Sequence, residues 1–387
     1  MKVITTENKP IKLWLEDIED GAMEQAKNLA NLPFIFNHLA IMPDSHQGYG
    51  MPIGGVLATK GVIIPNAVGV DIGCGMCAVK TSLININKPD LEVFVSLIKR
   101  SIPVGFNHQS KPQDSSLMPK RESLYEFPII SREYENSLSQ LGTLGGGNHF
   151  IEIQKGNDGY IWIMIHCGSR NLGKQVADYY NKIAVRNNEL WFSQVEKSKE
   201  LAFLPIETKE AKQYLSEMNF CVEFAFANRK LIINNIQKDL VKIIPFVEFE
   251  PIINIAHNYA RFEHHFGSDV IIHRKGATSA TIGEVGIIPG SMGTKSYIVE
   301  GLGNPESFMS CSHGAGRKMG RKQAQRELNL SDEIEIMNSQ GIIHDMKTYA
   351  DLDESVGAYK DIDTVMYNQR DLVKILVELH PLAVIKG

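Results

Sequence analysis

The run IWIMIHCGSRNLG, residues 161–173, contains the boundary between two kinds of periodicity. Five apolar residues in a row read as a buried strand, and they end at His166 and Cys167 in a glycine-bearing turn. Beyond the turn the spacing changes. Val176, Tyr179, Tyr180 and Ile183 recur at helical intervals, and so do Ala211, Tyr214, Leu215, Met218, Val222 and Ala225. The expectation is a strand that delivers a histidine to a turn, followed by a helical insert over residues 173–240.

Strand-like patterns return after the insert in IPFVEFEPIINIAH (244–257) and DVIIHRKG (269–276). Before it, Ala22, Ala26 and Leu29 place a helix over residues 19–31, and FIFNHLAIMPD (34–44) reads as a buried strand ending at Pro43. MPDSHQGYGMPIGG (42–55) then reads as a loop. GVIIPNAVGV (61–70) reads as a strand leading into Asp71, and the polar HQSKPQDSSLMPK (108–120) as a long loop or lid. Candidate ligands fall on both sides of the insert. One composite α/β domain over residues 1–387 therefore fits better than two independent domains.

With 387 residues, 43% of them apolar, the chain can fill a sizeable core. It has no uninterrupted apolar run of about 18 residues and no apolar leader, so neither membrane insertion nor export is expected and the cytoplasm is the default. Five cysteines form an odd, sparse set expected to stay as free thiols. Cys74 and Cys77 match half of a zinc knuckle, but nothing completes it, so Cys77 is assigned to the core. A net charge of −5 argues against general polyanion affinity, and any nucleic acid must bind a local patch.

Six glycine-rich or turn-like runs carry the chemistry: VGVDIGCGM (68–76), GTLGGGNHFIEI (142–153), IHCGSRNLG (165–173), IAHNYA (255–260), IPGSMGTKSY (288–297) and CSHGAGRK (311–318). Each alone would pass for an ordinary turn. Together they set Asp71, Cys74, His149, His166 and His257 in loops suited to wrap a ligand. One carboxylate, one thiolate and three imidazoles suffice for two divalent ions if the thiolate bridges. The chain has no GxxxxGK[ST] loop and no KxDG, so a nucleotide would need another cradle and another nucleophile, for which His313 is the candidate. Arg317, Lys318, Arg321 and Lys322 follow it, and they read either as a phosphate-binding group or as the exposed face of a helix.

MPDSHQGYGMPIGG, VGVDIGCGM, GGGNHF, HCGSR, HRKGAT, PGSMGTKSY, SHGAGR and the terminal PLAVIKG, in order along the whole chain, resemble the RtcB family of RNA-splicing ligases. The resemblance implies an α/β fold without Rossmann topology. It implies an enzyme that uses GTP and two Mn²⁺ ions to join an RNA 3′-phosphate, or a 2′,3′-cyclic phosphate opened first, to a 5′-hydroxyl. By motif, Asp71, Cys74, His149, His166 and His257 would be the metal ligands, and His313 the residue that takes GMP, with Asp44 orienting its imidazole. Asn148 would touch phosphate, while Glu152, Ser291, Ser296 and Lys386 would hold guanine and ribose, which requires an ordered C-terminus. Arg170, Arg317 and Arg321 would hold RNA phosphates, and an archease-like activator is a candidate partner. His46 and His273 read either as substrate contacts or as structural histidines. Ser312 and Cys167 stand where many relatives have Cys and Ser, and the chain is short for the family. A metal-dependent hydrolase, or a GTP-binding RNA-end sensor on the same scaffold, is the alternative.

Overall fold

The computed structural model describes residues 1–120 and 127–387, which form two large β-sheets with helices packed against them. From edge to edge the first sheet runs Lys2–Ile4, Ile11–Leu13, Ile35–His46, Ile53–Thr59, Ser268–Lys275 and Asn258–His265. Only the Ile11–Leu13 and Ile35–His46 pairing is parallel. The second runs Ile253–Ala256, Gly75–Lys80, Ile161–Cys167, Phe150–Gly156, Val373–Lys386, Ser296–Gly301 and Val285–Ile288, with every neighbouring pair antiparallel. A doubly wound nucleotide-binding fold needs a mostly parallel sheet, so Rossmann topology is excluded and the expected α/β class stands.

The second sheet is buried on both faces, and its period of two sorts the residues. Cys77, Val79, Ile161, Ile163 and Ile165 pack with Phe94 and Ile98 of the Lys88–Ser101 helix and with Ile232, Ile236 and Leu240 of the Lys209–Ile243 helix. Met76, Ala78, Phe150, Trp162 and Met164 fill the opposite face. His166 and Glu152 continue that opposite face, because Phe150 pairs with His166 and Glu152 with Met164. In the first sheet, Leu39 and Ile41 pack on the Asp20–Ala30 helix, whereas Ala40 and Met42 turn towards Ile288, Tyr297 and Val299 of the second sheet.

The helical stretch consists of Arg170–Leu190 and Lys209–Ile243; between them lie a short 3₁₀ turn and a two-residue strand, Leu204–Pro205, paired with Val62–Ile63. Several expected boundaries move. The Ile35–His46 strand passes through Pro43 instead of ending there, which a proline without an N–H tolerates because the ladder is interrupted between Ile41 and His46. Pro65 starts a 3₁₀ turn after only two strand residues, so Asp71 and Cys74 precede a strand, Gly75–Lys80, rather than follow one. Of IPFVEFEPIINIAH only Ile253–Ala256 is a strand. The 108–120 loop is tied down where Gln109 and Gln113 donate backbone N–H groups to Ser139 and Leu138, and Met118 is buried. All five thiols are free and buried. Among the described residues no helix is long and apolar enough to cross a membrane.

Arg229 locks the long helix to the sheet. Fully buried, it donates to Asn254 Oδ1 at 2.7 Å and to the Gly73 and Cys167 carbonyls at 2.9 and 2.7 Å. Arg229→Met keeps the apolar stem and strands all three acceptors. We expect a loss on the order of 3 kcal/mol, read as a lower denaturation midpoint; an unchanged midpoint would show that the clamp contributes nothing.

Candidate active site

Cys74 stands at the centre of the five proposed ligands. The turn that holds it closes with Cys74 N–H on Asp71 O at 3.1 Å, and His257 N–H reaches Cys74 O at 2.8 Å. Asn258 reinforces the junction by donating its side-chain amide to Asp71 O and accepting from Gly276 N–H. Two triads share the thiol: Cys74, His166 and His257, and Asp71, Cys74 and His149, each with ligand atoms within 4.8 Å of one another.

The imidazoles are oriented from behind. His149 Nδ1 donates to Leu144 O at 2.9 Å and His166 Nδ1 to Asn148 O at 3.0 Å, which leaves both Nε2 atoms facing Cys74 Sγ, at 3.5 and 3.2 Å. A carbonyl that fixes the far ring nitrogen is the usual support for a metal-binding histidine. His166 Nε2 also lies 3.4 Å from His257 Nε2. Burial holds both of those rings well below the ordinary histidine range, so both are neutral and each can turn a lone pair towards a cation. With the Cys74 thiol beside them, the donor set fits a divalent cation. Gly145 permits the arrangement: its φ is 91°, and a Cβ there would lie 2.7 Å from His149 Nδ1 and 1.9 Å from the Arg170 guanidinium.

His313 approaches the same cluster from the first sheet's side, its ring centroid 4.8 Å from that of His257. Asp44, fully buried on the Ile35–His46 strand, takes His313 Nδ1–H on Oδ2 at 2.5 Å and the backbone N–H groups of His313 and Gly314 at 3.0 and 3.3 Å. One carboxylate oxygen thus fixes ring and loop together and turns Nε2 away from Asp44. Gly316, with φ of 74°, lets that loop close, because a Cβ there would lie 2.0 Å from Asp44 O.

Both centres open into one cavity of about 380 Å³. Asp71, Cys74, His166, His257 and His313 line it with Asn148, Glu152, Ser291, Arg317, Arg321 and Lys386. Asp44, His149, Ser296 and Arg170 stand behind the lining. Ser296 Oγ accepts from Gly290 N–H and Gln154, both at 3.2 Å. Arg170, at φ of 59°, spends its guanidinium on Thr143 Oγ1 and Gly105 O. His46 lines the cavity and donates to Asp44 O, whereas His273 is fully buried and accepts from Ile64 N–H, a structural histidine.

Lys386 is ordered as expected, paired with Phe150 at the end of the Val373–Lys386 strand. Burial pushes the Glu152 carboxyl up to about 8, against the opposing pull of Lys386 and the Gln154 amide. Sequence reasoning missed Glu354, Tyr359 and Lys275 in the wall. Lys275 donates to Tyr49 O and Asn66 O, and burial lowers it to about 7. Its place in HRKGAT, at the end of a strand that is buried from Val270 onwards, was the available signal. Glu354 lies in a polar turn with no distinguishing pattern. Burial would raise its carboxyl, but Lys386, the Tyr359 hydroxyl, Arg317 and Arg321 together hold it below the usual range.

The metal-free cluster carries protons that a cation must displace. Burial and Asp71 push the Cys74 thiol up to about 12, while His149, despite burial, is held well above the ordinary range by Cys167, Cys74 and Asp71. Thiolate and neutral imidazole are the binding forms, so affinity rises with pH. Metal titration of stripped protein in buffers of different ionisation enthalpy should release about one or two protons per site occupied, one fewer in Cys74→Ala. Proton-neutral uptake by the parent would remove Cys74 from the ligand set.

The comparisons agree with this geometry. A model of the family described as tRNA-splicing ligase RtcB matches residues 25–126 and 126–387. The RNA-splicing ligase RtcB of Escherichia coli K12 is 38% identical over 411 residues, covering 100% of this chain and 99% of the relative. The tRNA-splicing ligases RtcB of Nanoarchaeum equitans and Thermococcus kodakarensis are 33% and 30% identical, covering 98% and 95% of this chain and 96% and 92% of the relatives. With the match running from the first helix to the final lysine, and the motif residues gathered around one cavity, the chain belongs to the RtcB family of RNA ligases.

Proposed function

We propose that this chain seals RNA, joining a 3′-phosphate or 2′,3′-cyclic phosphate end to a 5′-hydroxyl with GTP as the energy source, as a single catalytic unit over residues 1–387 with residues 173–240 inserted in it. The observation that carries the reading is His313: a histidine oriented by a buried carboxylate, beside a metal-fitted cluster, at the wall of a nucleotide-sized cavity.

Two Mn²⁺ ions held by Asp71, Cys74, His149, His166 and His257 would supply Lewis acidity that neutralises charge on the phosphate oxygens. His313 Nε2 attacks the α-phosphorus of GTP and pyrophosphate leaves, giving a phosphoramidate. Asp44 holds Nδ1–H and stabilises the positive charge that the ring gains. The RNA 3′-phosphate, after hydrolysis of a cyclic end where needed, then takes GMP from His313. The 5′-hydroxyl attacks that activated phosphate and GMP leaves, so the new phosphodiester is formed at the expense of the anhydride.

Glu152, Ser291 and Lys386 would form the guanosine end of the cavity, with Ser296 supporting it from behind and Asn148 near the phosphates. A carboxylate that accepts from guanine N1–H and the 2-amino group selects against adenine. Arg317 and Arg321 would receive the RNA phosphate through forked charge-assisted hydrogen bonds, and Arg170, behind His149, would orient the adjoining loop towards it. An archease-like activator remains a partner of this proposal.

Incubation of manganese-loaded protein with α-labelled GTP should leave GMP on His313, stable to base and labile to acid. His313→Ala should abolish the adduct while retaining metal, and Asp44→Asn should slow its formation on the order of 100-fold. No adduct on the parent, with manganese occupancy confirmed, would favour the hydrolase or the GTP-binding RNA-end sensor. Glu152 gives a second expectation. Its carboxyl is neutral below about 8 and the ionised form is the guanine acceptor, so GTP affinity should climb from pH 6 and level off above about 8. In Glu152→Gln that climb should vanish; if the slope persists, another group produces it.

A further inference from the structure

Glu354 lies in the run LDESVG, outside the glycine-rich runs that carry the candidate ligands, yet its carboxylate is the meeting point of four cavity groups. Oε1 lies 3.2 Å from the Arg317 guanidinium and 3.6 Å from that of Arg321. Oε2 lies 3.5 Å from Lys386 Nζ and accepts from the Tyr359 hydroxyl. The side chain is 5% exposed.

These partners come from separate parts of the chain: the loop after His313, the start of the Arg321–Glu327 helix, the turn at Tyr359 and the last strand. Among the described residues, Glu354 is the one carboxylate paired with either Arg317 or Lys386, and Arg321 otherwise meets only Asp353, at 4.0 Å. The remaining donors of Arg317 go to the Tyr359 hydroxyl and to the backbone carbonyls of Met319 and Asp353. One buried anion therefore sets the separation of three cations that would otherwise repel one another in the same wall.

We infer that Glu354 is a positioning residue, the shared counter-ion that holds the nucleotide-contacting Lys386 and the phosphate-contacting Arg317 and Arg321 in register, so that the two ends of the cavity are built as one unit. The inference rests on the roles given to those three cations under the proposed function. Glu354 itself touches no reacting atom, so its removal changes binding before it changes chemistry.

The sign of the effect separates positioning from simple charge. GTP and an RNA 3′-phosphate are both anions, and replacing a nearby carboxylate by an amide would tighten both if charge alone mattered. Positioning requires the opposite. On a His313→Ala background, which blocks adduct formation, calorimetry with GTP and with a short 3′-phosphorylated oligoribonucleotide should show both ligands binding about tenfold more weakly to Glu354→Gln. On Lys386→Met the further effect of Glu354→Gln on GTP should be small, because the two act through one contact. Glu354→Asp keeps the charge but withdraws it from its partners, and it should weaken binding by an intermediate factor. It also serves as the test variant if the amide does not fold, which thermal melting reports.

Unchanged or tighter binding in Glu354→Gln, or in Glu354→Asp where the amide does not fold, would overturn the inference, as would fully independent effects of Glu354→Gln and Lys386→Met. If the His313→Ala parent binds neither GTP nor the oligoribonucleotide, the proposed function falls and the inference with it. A parent that binds both while the Glu354 variants match it sinks the inference alone.

Discussion

The close approach of two strands at Gly75 is the constraint on which the site depends. A Cβ at Gly75 would lie 1.9 Å from Ile255 O, so only glycine lets the Ile253–Ala256 strand seat against Gly75–Lys80 in the observed register. That register brings His257 N–H onto Cys74 O and delivers a histidine from far along the chain to a thiol near its start. The Ile161–Cys167 strand, paired on the other side of Gly75–Lys80, adds His166. The cluster is thus a product of sheet pairing, and the helices act by fixing the sheet: Arg229 ties Gly73, Cys167 and Asn254 to the long helix.

Three acids in this cavity, Asp71 partly exposed and the other two buried, show how partners, not burial, set the outcome. Burial opposes the charge of each. Asp71 stays below the usual range because His149 and the surrounding cluster offset that cost. Glu354 stays low because three cations and a phenol surround it. Glu152 has only Lys386 and one amide, and its carboxyl rises. The first two are anions that organise positive charge, whereas the third is held neutral until added donors favour its ionised form, as a guanine would under the proposed function. A single cavity wall thereby contains both permanent and inducible acceptors.

Much of this was legible in the sequence, for a physical reason. Residues such as Cys74, His166 and His313 are surrounded by glycines whose positive φ or close contacts the structure now explains, so local composition betrayed the loops. Apolar runs and helical periods placed the Ile35–His46, Ile161–Cys167 and Ser268–Lys275 strands and both long helices, but not most of the other strands of the two sheets. What escaped notice were contacts between distant segments with ordinary local chemistry. Nothing in LDESVG distinguishes Glu354 from a solvated glutamate until the last strand brings Lys386 beside it. Pro43 misled for a related reason: a proline ends a strand only where the ladder needs its N–H, and whether it does depends on a partner that the local run does not reveal.

The local wall also reconciles an acidic chain with an anionic substrate. A net charge of −5 rules out the broad cationic footprint by which many proteins hold nucleic acid. A chemistry confined to two RNA ends does not need one. Arg317, Arg321 and Lys386 share one counter-ion, and Arg317 is held further by backbone carbonyls, so their charge is concentrated in one wall of the cavity, where under the proposed function little freedom would be lost on binding. The Arg170 guanidinium, spent on Thr143 and Gly105, stiffens the loop that carries His149 instead of reaching into solvent. Recognition is therefore of a terminus rather than of a duplex, and discrimination among RNAs must come from the shape of the approach to the cavity.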